Sequence, residues 1–283
     1  MSTSATTPAP TRSALRPADS TYRLSFLRLV RSEWIKLATL RSPWWSIGVV
    51  ALLSIGMSLL LAWAFTSFDG PAGAPGSESL AITVILSPTS FTVLLAVILG
   101  SIQVTGEYST GMVRSTLTAA PGRIGSLLAK ATVVALFVFL SSLVIFLIAA
   151  LVTAPMLSGA GIGLDFSDLA SWMLPLLAGA FTMAVIALIG VSAGYLLRNG
   201  PGAIALGVGL VFVLPLVPAF FAALPDWGWI QDAARFLPTN AGNALMNPGG
   251  TGSLEPWVAG LTLVVWVVVG LVGAGVVLKS RDA

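Results

Sequence analysis

The segment TGEYSTGMVRSTLTAAPGR, residues 105–123, decides how the rest of the chain is read. It is polar and sits between two apolar runs, residues 80–104 and 126–152. Runs of that length, at about 1.5 Å per residue, form helices long enough to cross a bilayer core. The segment between them is therefore a loop at the membrane surface. It carries Glu107, Tyr108, Arg114 and Arg123 within a few helical turns, more than a plain turn requires. It reads as a short polar helix from Glu107 to about Thr118, ended by Pro121-Gly122, because proline and glycine punctuate helices. Glu107 near its start and Arg123 just past its end would suit the helix dipole.

Outward from this segment the same alternation continues. Six spans are predicted at residues 44–65, 80–104, 126–152, 170–197, 203–224 and 257–278. Pro88 predicts a kink near the outer end of the second, and Pro215 and Pro218 interrupt the fifth. Lys130 lies close enough to the inner end of the third to snorkel to the headgroups. With a cytoplasmic N-terminus, the inner segments hold Arg12 to Arg41, Arg114, Arg123, Lys130, Arg198, Lys279 and Arg281, leaving Arg235 outside. Asp69, Glu78, Asp165, Asp168, Asp226, Asp232 and Glu255 fall on the outer side. Because Lys/Arg bias sets topology, both termini are expected in the cytoplasm.

The chain has 283 residues, 56% hydrophobic and 9% charged, far below the roughly one-quarter charged of soluble domains. It contains neither cysteine nor histidine. That removes disulfides, thiolate metal sites, cysteine nucleophiles, serine–histidine dyads and His-ligated haem. The net charge of +3 is too small and too sorted by loop for nucleic-acid binding, and no GxxxxGK[ST] phosphate loop is present. The spans carry no ionisable residue at mid-membrane, whereas ion-coupled carriers usually place acids or broken helices there. Their mild polar groups (Ser54, Ser58, Thr92, Gln103, Ser141, Ser142, Thr182, Ser192, Tyr195) suit bonding to backbone or a neighbouring helix. Gly190 and Gly194 form a GxxxG that fits either packing within the chain or dimerisation. Asp165 and Asp168, in one glycine-rich loop, read as solvated rather than as a metal pair. No catalytic, cofactor or metal residue is predicted.

Residues 1–20 are rich in Ser, Thr, Ala and Pro and read as a disordered cytoplasmic tail rather than a signal peptide. Residues 21–41 form a basic amphipathic helix, with Phe26, Leu27, Val30, Trp34 and Leu37 on one face and Arg28, Arg31, Glu33 and Lys36 off it. Such a helix lies along the inner headgroup layer. The outer loop, residues 225–256, holds Trp227, Trp229, Phe236 and then RFLPTNAGNAL, and is long enough to be packed or functional.

Three of these segments together resemble the ABC-2 type permeases, in an actinobacterial-type pattern. The first is Gly106-Glu107-Tyr108, Gly111, Val113-Arg114 and Leu117 leading to Ala120-Pro121-Gly122-Arg123. The second is Arg31-Ser32-Glu33-Trp34 with Lys36-Leu37, Thr39 and Arg41-Ser42. The third is Leu237-Pro238, Asn240-Ala241-Gly242 and Ala244-Leu245. The resemblance implies an all-α membrane protein: an N-terminal elbow helix at 21–41 and a six-span domain over 42–283 of the ABC-2, type V exporter-like kind. It also implies a cytoplasmic coupling loop at 105–125, in which Glu107, Tyr108, Gly111, Met112, Arg114, Leu117 and Arg123 meet a separate ABC ATPase subunit. ATP and Mg would be held by that ATPase, and this non-catalytic chain would pair with a second permease chain, as homodimer or heterodimer, in a bacterial cytoplasmic membrane. The expected cargo is amphiphilic or hydrophobic, a drug, peptide antibiotic or lipid, moved outward. From the residues alone, 105–123 also fits a solvated interfacial helix whose charges keep it out of lipid. An ATP-independent carrier or channel, an intramembrane enzyme, and an antibiotic-immunity or sensor subunit are the competing functions.

Overall fold

The computed structural model describes residues 25–67, 77–113, 123–164, 166–221, 228–249 and 253–280. Arg114, Leu117, Asp165, Trp227 and the N-terminal tail lie outside them, and with them most of the anticipated polar helix. Among the described residues there is no strand. Six helical segments among them are long and apolar enough to cross a membrane.

Helix α1 spans Phe26–Thr39, with the Ser25 hydroxyl accepting from the Arg28 amide at 3.4 Å as N-cap. One extended residue, Leu40, separates it from α2 (Arg41–Ser67), and the Trp44 indole donates to the Ala38 carbonyl across that corner at 3.0 Å. The second span is two helices, α3 (Ser77–Leu86) and α4 (Thr89–Ser109), broken at Ser87-Pro88. Proline has no N–H to give the Val84 carbonyl, and the Ser87 hydroxyl donates there instead at 3.1 Å. Helix α5 (Arg123–Gly159) and helix α6 (Leu169–Leu197) are the third and fourth spans. Asp168 accepts from the Ala170 amide at 3.1 Å and so serves α6 as N-cap.

The fifth span starts earlier than the composition implies. It runs as α7 (Gly200–Val208), a π-helical turn at Gly209–Val213, and α8 (Leu214–Phe221). Two short helices follow, α9 (Gly228–Ala234) and α10 (Pro238–Met246), then α11 (Pro256–Ser280) as the sixth span.

Helix α6 is the centre, packed on by α4, α5, α10 and α11. Its contact with α4 is backbone against backbone. A Cβ on Gly100 would stand 2.0 Å from the Ala187 carbonyl oxygen, and one on Gly190 2.2 Å from that of Val97. The GxxxG at Gly190 and Gly194 is therefore used inside the chain. At that crossing Ser101 donates to the carbonyls of Val97 (2.9 Å) and Gly190 (3.2 Å).

Candidate functional site

Four charged side chains meet where α1, the end of α4 and the start of α5 converge. Lys36 Nζ lies 2.7 Å from Glu33 Oε1 and 3.0 Å from Glu107 Oε1. Lys130 Nζ lies 2.5 Å from Glu33 Oε2 and 2.9 Å from Glu107 Oε1. Each ammonium thus bridges both carboxylates, and the cluster is neutral as a whole. Glu33, Glu107 and Lys130 are buried, at 6%, 9% and 4% exposure, so the pairing offsets a desolvation cost that a single buried charge could not meet. Burial pushes the Glu33 carboxyl up, but the ammonium groups of Lys130 and Lys36 outweigh it and hold the group below the usual carboxylate range. Burial likewise pulls Lys36 down, and the carboxylates of Glu33 and Glu107 outweigh that and raise it.

This arrangement corrects three expectations. Glu107 does not open a separate polar helix; it lies in the last turn of α4, which continues from the membrane-spanning segment through Ser109. An acid there opposes the helix dipole, and the two lysines compensate. Lys130 does not snorkel outward but turns into the chain, because two carboxylates lie within hydrogen-bonding reach. Glu33, expected off the apolar face of α1, is with Leu37 one of its buried residues, and Lys36 beside it is half-buried. The apolar stripe of α1 is split. Leu37 is buried and Val30 half-buried, while Phe26, Leu27 and Trp34 are exposed.

Helix α4 ends at Thr110, followed by Gly111 at φ 72°, the left-handed position that glycine takes without strain. The tip, Ser109 to Met112, is exposed, whereas Val113 is buried. Beside it a cavity of about 300 Å³ is lined by Leu40, Ile102, Gln103, Met112 and Val133, with the ion cluster bordering it.

Tyr108 faces the other way, its ring edge-on to Tyr195 at 6.4 Å and beneath the Arg198 guanidinium at 5.5 Å. Arg198 sits at φ 52° at the end of α6 and donates to the Val277 carbonyl at 3.2 Å. Arg123 donates to the Leu278 carbonyl at 3.0 Å. It therefore caps the C-terminal end of α11. Spans two, three, four and six are thus tied at this end by charge or ring contact to a neighbour. The four-membered cluster was the feature that reading by segment missed. The signal was present in the unusual depth of Lys130 and in Glu33 lying on the same side as Leu37.

A profile for the ABC-2 family transporter protein matches residues 29–223, from the first turn of α1 through span five. This chain belongs to the ABC-2 transporter family. No relative is found among curated proteins. The ABC-2 match takes in all four members of the ion cluster and the α4 tip, and it leaves α9, α10 and the sixth span of the transporter beyond its end. Family and helices together make the chain a multi-pass membrane protein, the permease of an ABC transporter, a kind of subunit that generally carries no catalytic site of its own.

Proposed function

We propose that this ABC-2 permease is half of an ATP-driven exporter, coupled through the ion-paired end of the bundle to a separate ATPase subunit. The observation that carries the reading is the joint between α1, α4 and α5. Force on the exposed tip of α4 reaches α1 and α5 through Glu107, Lys36, Lys130 and Glu33 without crossing a flexible link. A buried, mutually bridged cluster has few alternative geometries, so it moves as a unit. In this reading Ser109 to Met112 form the docking edge and Glu107 works behind it. ATP and Mg belong to the partner, and this chain binds neither. A closing ATPase pair biases the permease between two arrangements, which is what coupling requires.

The rest of the reading follows the same logic. The cluster end is cytoplasmic, as are both termini, in a bacterial inner membrane. The exposed stripe of α1 (Phe26, Leu27, Trp34) lies in the headgroup layer. A second permease chain packs on α2, where Trp45, Leu52, Leu60 and Trp63 are exposed at 75%, 74%, 59% and 57%. An amphiphilic or hydrophobic cargo suits walls without mid-membrane charge.

The test is Met112→Glu, which changes an exposed side chain and leaves the cluster intact. Tagged protein purified gently from its own cells should carry an ATPase chain, two with two permeases. Met112→Glu should insert and stay as stable as the parent, yet lose that subunit or its cargo-stimulated hydrolysis. A variant that keeps both at parental level removes the tip as the docking edge.

A further inference from the structure

At the end of the bundle away from the ion cluster, α10 is fastened to three spans. Gly242 lies so close to α6 that a Cβ there would stand 2.3 Å from Thr182 Cγ2. The Trp266 indole of α11 donates to the Phe236 carbonyl just before α10 at 2.8 Å. The third attachment is to span five, where the Thr239 hydroxyl donates to the Val211 carbonyl at 2.6 Å. That carbonyl is special for a covalent reason. The residue four positions on, which would supply its α-helical donor, is Pro215, and proline has no N–H. The distortion is visible in the backbone: Gly209–Val213 is π-helical, and the Leu214 amide reaches back five residues to the Gly209 carbonyl.

The outer half of span five is shallowly packed within this chain. None of the residues of Leu214–Phe221 is buried, whereas Val211, at the threonine bond, is 1% exposed. The segment therefore combines a weakened backbone ladder, a second proline at Pro218, and a short polar attachment at its base to a neighbouring helix.

We propose that Thr239 is a positioning residue for transport: it latches span five to α10 at the carbonyl that Pro215 deprives of its donor. Release of this bond lets the outer half of span five swing from α10 while the α4–α6 core stays closed. The inference rests on family membership and local geometry, not on the ATPase docking edge, and either can fail without the other.

The absence of cysteine makes the test direct, since an introduced thiol is unique. Val211→Cys places a probe at the latch, and Ala149→Cys, at a position that is 0% exposed in α5, reports on the core. Labelling by membrane-permeant N-ethylmaleimide is followed in membranes. Thr239→Val, close in shape but without the donor, should speed labelling at position 211 about three- to tenfold, the range of one net hydrogen bond. Labelling at 149 should not change. Thr239→Ser should restore the parental rate. In a Pro215→Ala background the new N–H takes the carbonyl, so Thr239→Val should then change labelling by less than about twofold. The latch is overturned by equal acceleration at both probes, by no acceleration at 211, by failure of serine to rescue, or by an undiminished valine effect beside Ala at 215. Should Thr239→Val not accumulate, Pro215→Ala alone decides: its new N–H displaces the threonine from the carbonyl, so faster labelling at 211 supports the latch, and an unchanged or slower rate refutes it.

Discussion

Lys130 shows how much one side chain can carry at a membrane boundary. Its ammonium is shared by Glu33 and Glu107, both buried, so removing it leaves two carboxylates facing one remaining lysine. Breaking a buried pair in this way typically costs about 3–5 kcal/mol, several times a surface ion pair. Lys130→Met should therefore lower the thermal unfolding midpoint in detergent clearly, and Glu33→Gln in the same chain should recover part of the loss by removing one surplus charge. Equal stability of Lys130→Met and the parent would mean that the cluster is not closed in the membrane protein. The same groups set the pH range. Glu33 is depressed below the ~4.3 of an unfolded chain, so its stabilisation is complete above that pH and is lost as pH falls through its lower folded value. Lys36 is raised, so its share is complete below about pH 10.4 and is lost as pH rises through its higher folded value. Between those limits the contribution of Glu33 and Lys36 should be flat with pH.

Among the helices, α4 and α6 owe their contact to missing side chains. Lipid offers no hydrophobic drive for two apolar helices to associate, so close backbone approach and hydroxyl bonds such as those of Ser101 take its place. Gly190→Ala adds one methyl against the Val97 backbone carbonyl, which cannot rotate away as a side chain would. A loss of about 1–3 kcal/mol is expected. Gly260→Ala in α11, where nothing lies within 4 Å, should be neutral or slightly stabilising. A thermal unfolding comparison of the two decides, and equal effects would contradict the packing. The broken spans follow a second rule at this scale. Pro88 and Pro215 each take a donor from the helix, and Ser87 and Thr239 supply hydroxyls to the carbonyls four residues before them.

For the molecule as a whole, the structure puts Ser109 and Ser280 at the ion-cluster end and Ser158 and Ser253 at the other. If the basic residues orient the chain, single cysteines at 158 and 253 should react with an impermeant maleimide in intact cells. Those at 109 and 280 should react only after lysis. Labelling of Ser109→Cys from outside would invert the orientation and move the docking edge out of reach of ATP.

The span count, the amphipathic α1 and the resemblance carried by residues 105–123 were legible in the chain, because bilayer thickness and backbone hydrogen bonding act on local composition. The prolines also announced where spans would break. The sequence could not tell which partner each buried charge or freed carbonyl would find. Glu33 and Lys130 lie 97 positions apart, and Thr239 and Val211 lie 28 apart. Local pattern therefore read Glu107 as the start of a polar helix, and only the convergence of α1, α4 and α5 gave it internal partners. Such pairings depend on where helices cross, and crossing is decided by packing along their whole length.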